Sequence, residues 1–164
     1  MAVDIILLID GIKGETQIKQ FKDKGGIDVL SWNWGMSQSG TTHMGPGAGS
    51  GKVNVSDITF TKYLDLSTPD LLKACTSGKH IPKAELIVRK AGGDEPVDYL
   101  KLEMNTVLVS SYNTGGANDG MDRVQETLSF NFKSFKVTYT QQNEQGGKIG
   151  SSDIGWDVAE NTAL

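Results

Sequence analysis

From Leu30 to Met36 the chain reads LSWNWGM, with a large apolar residue at every even position and a small or polar one between. A period of two is the period of a β-strand, whose successive side chains point to opposite faces. Leu30, Trp32, Trp34 and Met36 therefore form a face to be packed, and Ser31, Asn33 and Gly35 a face left wet. The same rhythm returns at Leu100, Leu102, Met104 and Leu108 within Val97–Tyr112. It predicts further strands at Val3–Ile9, Val53–Tyr63, Ala84–Lys90, Arg123–Thr140 and Ile154–Val158.

Two of these strands change phase partway. Val124, Leu128, Phe130 and Phe132 are even, whereas Phe135, Val137 and Tyr139 are odd, and Val53 and Val55 give way to Ile58 and Phe60. An inserted residue, a β-bulge, shifts the phase in this way, and so does a strand that changes which face is covered. One helix is signalled after Ser67-Thr68, with Pro69 at its first position, Asp70 near its positive end, and Gly78 suited to a left-handed stop. Leu71, Leu72, Ala74 and Cys75 supply its apolar side. Glycine-rich loops are expected at Gly40–Gly51, Asn113–Gly120 and Asn143–Ser152. Many strands and one short α-helix predict a mainly β, compact β-barrel, because closure removes exposed sheet edges. The run Ile5-Ile6-Leu7-Leu8-Ile9 is apolar on both faces, so the helix or a neighbouring subunit is expected to cover its second face.

The 164 residues predict a single domain spanning 1–164. A net charge of −4 argues against nucleic acid, which requires a basic face. No apolar run approaches the ~20 residues of a membrane-spanning helix, so no membrane insertion is expected. The opening MAVDIILLIDG has no positive n-region and predicts no cleaved signal peptide. The lone Cys75 excludes an intrachain disulfide and fits synthesis in a reducing cytoplasm.

Signs of catalysis or of a cofactor are sparse. Gly51-Lys52 imitates the end of a phosphate-binding loop, but Pro46 replaces the first glycine, Val53 replaces the hydroxyl residue, and a strand rather than a helix follows. Cys75 and His80 can be drawn as a nucleophile and base, although Cys75 falls on the helix's apolar side, where a thiol is ordinarily inert. Metal-ligand spacings are absent from the sequence, and no cofactor is expected. Trp32 and Trp34 could stack on bases or sugars, but at this spacing on a strand they serve better as core anchors.

The strings IDVLSWNWGMSQSG, GKVNVSDITFTKY, STPDLLKACTSGKH, LIVRKAGG, VLVSSYNTGG, ETLSFNF and GWDVAEN follow one another in an order and spacing that closely resemble the Hcp family. These are the hemolysin-coregulated tube subunits of bacterial type VI secretion systems. The resemblance covers nearly the whole chain. It implies a barrel of two antiparallel β-sheets with one short α-helix, like phage tail-tube proteins. It further implies a homo-hexamer whose rings stack into a hollow tube, and no enzymatic activity. Implied partners are the VgrG spike, the contractile sheath and small secreted effectors carried in the lumen. Such a protein would assemble in the bacterial cytoplasm and then be secreted into medium or a target cell. On this reading Ser31 and Asn33 would face the lumen and contact effectors. Thr41, Thr42, His43, Met44, Gly45, Pro46 and Gly47 would lie in a loop that reaches a neighbouring subunit or ring. A monomeric barrel holding a small molecule, framed by the glycine loops, is the competing reading.

Overall fold

Two strands of 18 residues, β8 (Asp98–Gly115) and β9 (Gln125–Gln142), organise the computed structural model, which describes residues 3–40, 51–90, 96–118, 120, 123–145 and 147–164. They pair antiparallel along their length. The far edge of β9 carries β6 (Ile58–Tyr63) along 125–130 and β10 (Lys148–Asp157) along 134–142. β7 (Ile81–Lys90) pairs with the first part of β8, and β1 (Val3–Ile9) pairs with β7. β2 (Ile27–Asp28) then pairs with β1, whereas β3 (Ser31–Asn33) pairs with β6. The run 27–33 thus changes sides: Val29 N–H donates to Ile5 O at 2.9 Å and Leu30 N–H to Thr61 O at 2.8 Å. No ladder joins β2 to β3 among the described residues, so the sheet is not closed into the expected barrel there and only the chain spans the gap. β11 (Thr162–Ala163) extends β10, and β4 (Met36–Ser37) with β5 (Asn54–Val55) makes a second, two-stranded antiparallel sheet.

Phe60, Phe130, Leu128, Leu7, Leu86 and Met104 are all at most 1% exposed and fill the interior. Phe60 and Phe130 meet edge to face with centroids 4.8 Å apart. The phase change of β9 has a specific cause. Phe132 and Phe135 both turn inward, onto Trp34 at 6.2 and 5.0 Å, although the register against β8 runs from 130 to 139 without an insertion. The strand changes its edge partner from β6 to β10 at this point. β8 bends opposite it: Leu102 and Met104 are buried before the bend, Val107 and Val109 after it, and Thr106 takes φ 53°. Of the two explanations open for β9, an inserted residue or a change of covered face, the second holds, as a kink shared with β8. A register shift does occur nearby, in β8 between Val109 and Ser111. The expected strand over 53–63 is broken, because Ser56 is clasped to Gly35: its N–H and Oγ both donate to Gly35 O, and Gly35 N–H donates to Oγ. Trp32 and Trp34 pack on the core, but Leu30 and Met36, expected to join them, are 43% and 50% exposed. The expected loop over 143–152 ends early, since β10 starts at Lys148.

Helix α2 (Thr68–Ser77) has Pro69 in its first turn and Gly78 left-handed at φ 65°, as the sequence signals, but the Ser67 side chain makes no capping hydrogen bond and Leu72, expected on the packed side, is exposed. It buries Leu71 and Ala74. A second helix, α1 (Lys19–Lys22), was not expected. It answers the doubly apolar strand: Leu7 and Ile9 enter the main core, while Ile6 turns the other way onto Phe21 and Ile87. The second face of β1 is thus covered within the chain by α1, and neither α2 nor a neighbour is needed to cover Ile6.

On the outer side of β7 and β8, Lys83 lies 2.7 Å from Glu85 and 3.4 Å from Glu103, and Lys101 lies 3.5 and 3.2 Å from the same two carboxylates. The hydrogen bond to Glu85 holds the Lys83 ammonium above its ordinary 10.5, against partial burial. Partial burial opposes ionisation of Glu103, but Lys101 and then Lys83 outweigh it and hold Glu103 below its ordinary 4.5. The Glu103 contribution is therefore present above about pH 4.5 and lost as the pH falls, and that of Lys83 is present below about pH 10.5 and lost as it rises. These groups are largely solvent-screened, so Glu103→Gln should cost only about 0.2–1 kcal/mol at neutral pH and progressively less as the pH falls below 4.5. Urea midpoints measured against pH check this.

Candidate functional site

The side of β3, β6, β9 and β8 that faces away from the core is built from small uncharged polar residues. Ladder partners point the same way, so the pairings define rows across the sheet. One row runs Asn33, Thr59, Ser129, Ser111, and the next runs Ser31, Thr61, Thr127, Asn113. Tyr63, Gln125 and Gly115 end the face. The intervening row, Trp32, Phe60, Leu128 and Tyr112, is the core side of the same strands. The expected division of β3 into a packed and a wet face holds at Trp32, and Ser31 and Asn33 are both exposed on the polar face.

Hydroxyls on this surface pair with one another. Thr61 and Thr127 oxygens lie 3.3 Å apart, and Ser129 Oγ is within 2.7 Å of Ser110 and 2.5 Å of Ser111. Asp57 brings a carboxylate to one end, where it accepts from Ser110 Oγ at 2.7 Å and Asn131 Nδ2 at 2.8 Å. Arg123 brings a guanidinium to the other, 4.0 Å above the Tyr63 ring. Between them the face carries no charge, and its donors and acceptors are partly used among themselves. Such a wall can make many weak polar contacts without a strong electrostatic preference. The sequence reading found only Ser31 and Asn33; Thr59, Thr61, Thr127 and Ser129 carry the same signal as the small positions between apolar ones.

Behind this face lies a buried charged cluster that was not foreseen. Lys62 and Glu126 are both fully buried and paired. Lys62 Nζ also donates to Asp65 Oδ1 at 3.0 Å and Tyr63 O at 2.9 Å, and Thr68 Oγ1 donates to Glu126 Oε1 at 2.9 Å. These bonds tie the start of α2 to β6 and β9. Burial first, and then the Glu126 carboxylate, push the nearby Tyr112 phenol up to about 12.

Other candidates are not brought together. Cys75 is half-buried against the core and His80 is exposed beyond α2, and no hydrogen bond joins them among the described residues. Thr41, Thr42, His43, Met44, Gly45, Pro46 and Gly47 lie outside the described residues. No described helix is long and apolar enough to cross a membrane.

The fold is shared with type VI secretion proteins of solved structure. Hcp1 from Salmonella typhimurium aligns over 100% of both chains at 38% identity with a TM-score of 0.80. A type VI secretion system effector from Yersinia pestis aligns over 94% of this chain and 99% of its own at 31% identity, with a TM-score of 0.72. Protein hcp1 of Pseudomonas aeruginosa is 50% identical over 162 residues, 98% of each chain. Residues 7–139 match the family described as type VI secretion system effector, Hcp. The chain belongs to the Hcp family.

Proposed function

We propose that this protein is a tube subunit of a type VI secretion system, assembling as rings of six that stack into a hollow conduit with the hydroxyl face toward the lumen. The observation that carries this reading is the uncharged face centred on Ser31, Asn33, Thr59 and Thr61, set against a solidly packed interior. A passage for varied protein cargo needs a wall that holds cargo by many weak bonds and releases it. On this reading the protein assembles in the cytoplasm within a contractile sheath, is capped by a VgrG spike, carries small effectors and is secreted with them. The monomeric ligand-binding alternative loses support from the interior, since Phe60, Phe130, Leu128 and Met104 occupy the space a ligand would need.

The double variant Ser31→Arg, Asn33→Arg tests the lumen assignment. Six copies would place twelve guanidinium groups in one ring of the channel. Assembly should persist at a mass near six times 17.7 kDa, while co-purification of effectors drops at least about tenfold, the equivalent of 1.4 kcal/mol. Unchanged effector recovery would reject the assignment, and a wild-type protein that stays monomeric at all concentrations would reject the ring.

A further inference from the structure

Two exposed regions of the molecule are complementary in shape and charge. Where β8 and β9 kink, a hollow of about 460 Å³ opens on the surface, with Leu108, Phe132 and Val158 as its apolar lining. Lys52, His80 and Lys133 stand around it. Lys133 has a distant ion pair, 3.8 Å from Asp157, and neither Lys52 nor His80 is ion-paired among the described residues. Thr106, on the same rim, holds a positive φ of 53° that a β-branched residue adopts rarely, and such conformations persist where the surroundings over-determine them.

The second region is the turn between β6 and α2. Leu66 projects from it 68% exposed, two residues after Leu64 at 40%. The turn is held in place: Leu66 N–H donates to Glu15 Oε2 at 3.1 Å, and Ser67 N–H donates to Asp65 Oδ1 at 2.8 Å. Glu15 bonds the Leu66 N–H and Asp70 follows in the first turn of α2, while Arg123 is engaged over Tyr63. A fixed apolar knob with carboxylates beside it matches an apolar hollow bordered by Lys52, His80 and Lys133. The hollow's nearby carboxylates, Asp57 and Asp157, are engaged with Asn131 and Lys133.

We infer that Leu66 of one copy seats in the Leu108–Phe132–Val158 hollow of a second copy, with Glu15 and Asp70 of the first meeting Lys52, His80 and Lys133 of the second. The two surfaces differ, so the contact is heterologous and repeats from copy to copy, as a ring or a stack requires. The inference rests on the self-assembling reading above and names the surfaces that carry it. Burial of the leucine supplies affinity, and the opposed charges fix the orientation and speed encounter.

The test uses the complete chain in a Cys75→Ala background. Leu66→Cys combined with Ala159→Cys, at the hollow's edge, should give disulfide-linked multimers on a non-reducing gel after mild oxidation, with neither single variant doing so. Lys52→Glu with His80→Glu should weaken assembly at least about tenfold at low salt through like-charge repulsion, and adding Asp70→Lys should restore it. Light scattering separates the possible failures. Normal assembly of the charge-reversed variant, together with no crosslinking, overturns this contact and leaves the ring reading standing. Absence of any assembly in the parent overturns both. Crosslinks or charge effects seen only with an added acidic peptide would assign the hollow to a different partner and overturn the inference.

Discussion

Lys62→Met should cost about 3–5 kcal/mol of stability, the usual consequence of removing one member of a buried ion pair. The lysine is fully buried, and its ammonium meets Glu126, Asp65 and the Tyr63 carbonyl, so all three of its protons are engaged. Methionine fills nearly the same space, which isolates the electrostatic effect from a cavity. What remains is a fully buried Glu126 whose Oε2 has no hydrogen-bond partner among the described residues even with the lysine present. Desolvating a carboxylate without a counter-charge is the dominant cost, and no surface rearrangement reaches it. The double variant Lys62→Met, Glu126→Leu should recover most of the loss, because an apolar replacement of both partners no longer buries an uncompensated charge. Urea denaturation at one fixed protein concentration measures both, since self-association would otherwise shift the midpoints. A single-variant loss below about 1 kcal/mol would show the pair to be solvated and would sink the account. The local consequence should be a looser start of α2, because Thr68 and Asp65 are held through the same cluster.

How much of this was readable in advance depended on which interactions leave a periodic trace. The packed and wet faces of β3 were legible, because alternation at Ser31, Trp32 and Asn33 is the direct product of strand geometry. Leu30 and Met36 continue that alternation but lie outside β3, where the chain changes partners, and their period no longer predicts burial. The phase change at Phe132 and Phe135 was visible, but an inserted residue and a kink with a partner change produce the same letters. Only the unbroken register against β8 separates them. Lys62 and Glu126 did leave a trace: each occupies the parity of buried neighbours, Ile58 and Phe60 on one strand and Leu128 and Phe130 on the other. Opposite charges at inward positions of two strands are a signature of a buried pair, provided the pairing of those strands is known. Helix α1 is four residues long with Phe21 as its one buried residue, too short for a helical period to show.

That short helix supports the second large effect. Phe21→Ala should destabilise the protein by about 3–5 kcal/mol, the range for emptying a buried aromatic site. Phe21 is 4% exposed and covers Ile6 and Ile87, the apolar side of β1 and β7 that turns away from the main core. The covering segment sits close: a Cβ placed on Gly26 would come within 2.8 Å of Thr16 Cγ2 and 3.0 Å of both Ile6 Cγ2 and Phe21 Cβ. So the helix is held against the sheet by contact that leaves little room to collapse into a cavity, which places the expected loss toward the upper end. Arg89 compounds it, since its guanidinium lies 4.7 Å from the Phe21 ring centroid while it is paired with Asp98 at 2.6 Å. Phe21→Leu, which keeps most of the volume, should cost roughly half as much. The pair of variants also decides between two ways of covering a doubly apolar strand. If α1 is the cover, the folding midpoint falls and an environment-sensitive dye binds the uncovered Ile6 and Ile87, while the assembled mass under native conditions stays that of the parent. If a neighbouring copy supplied the cover, assembly would weaken first and the isolated subunit would unfold as before, and that order of events would overturn the assignment of Phe21.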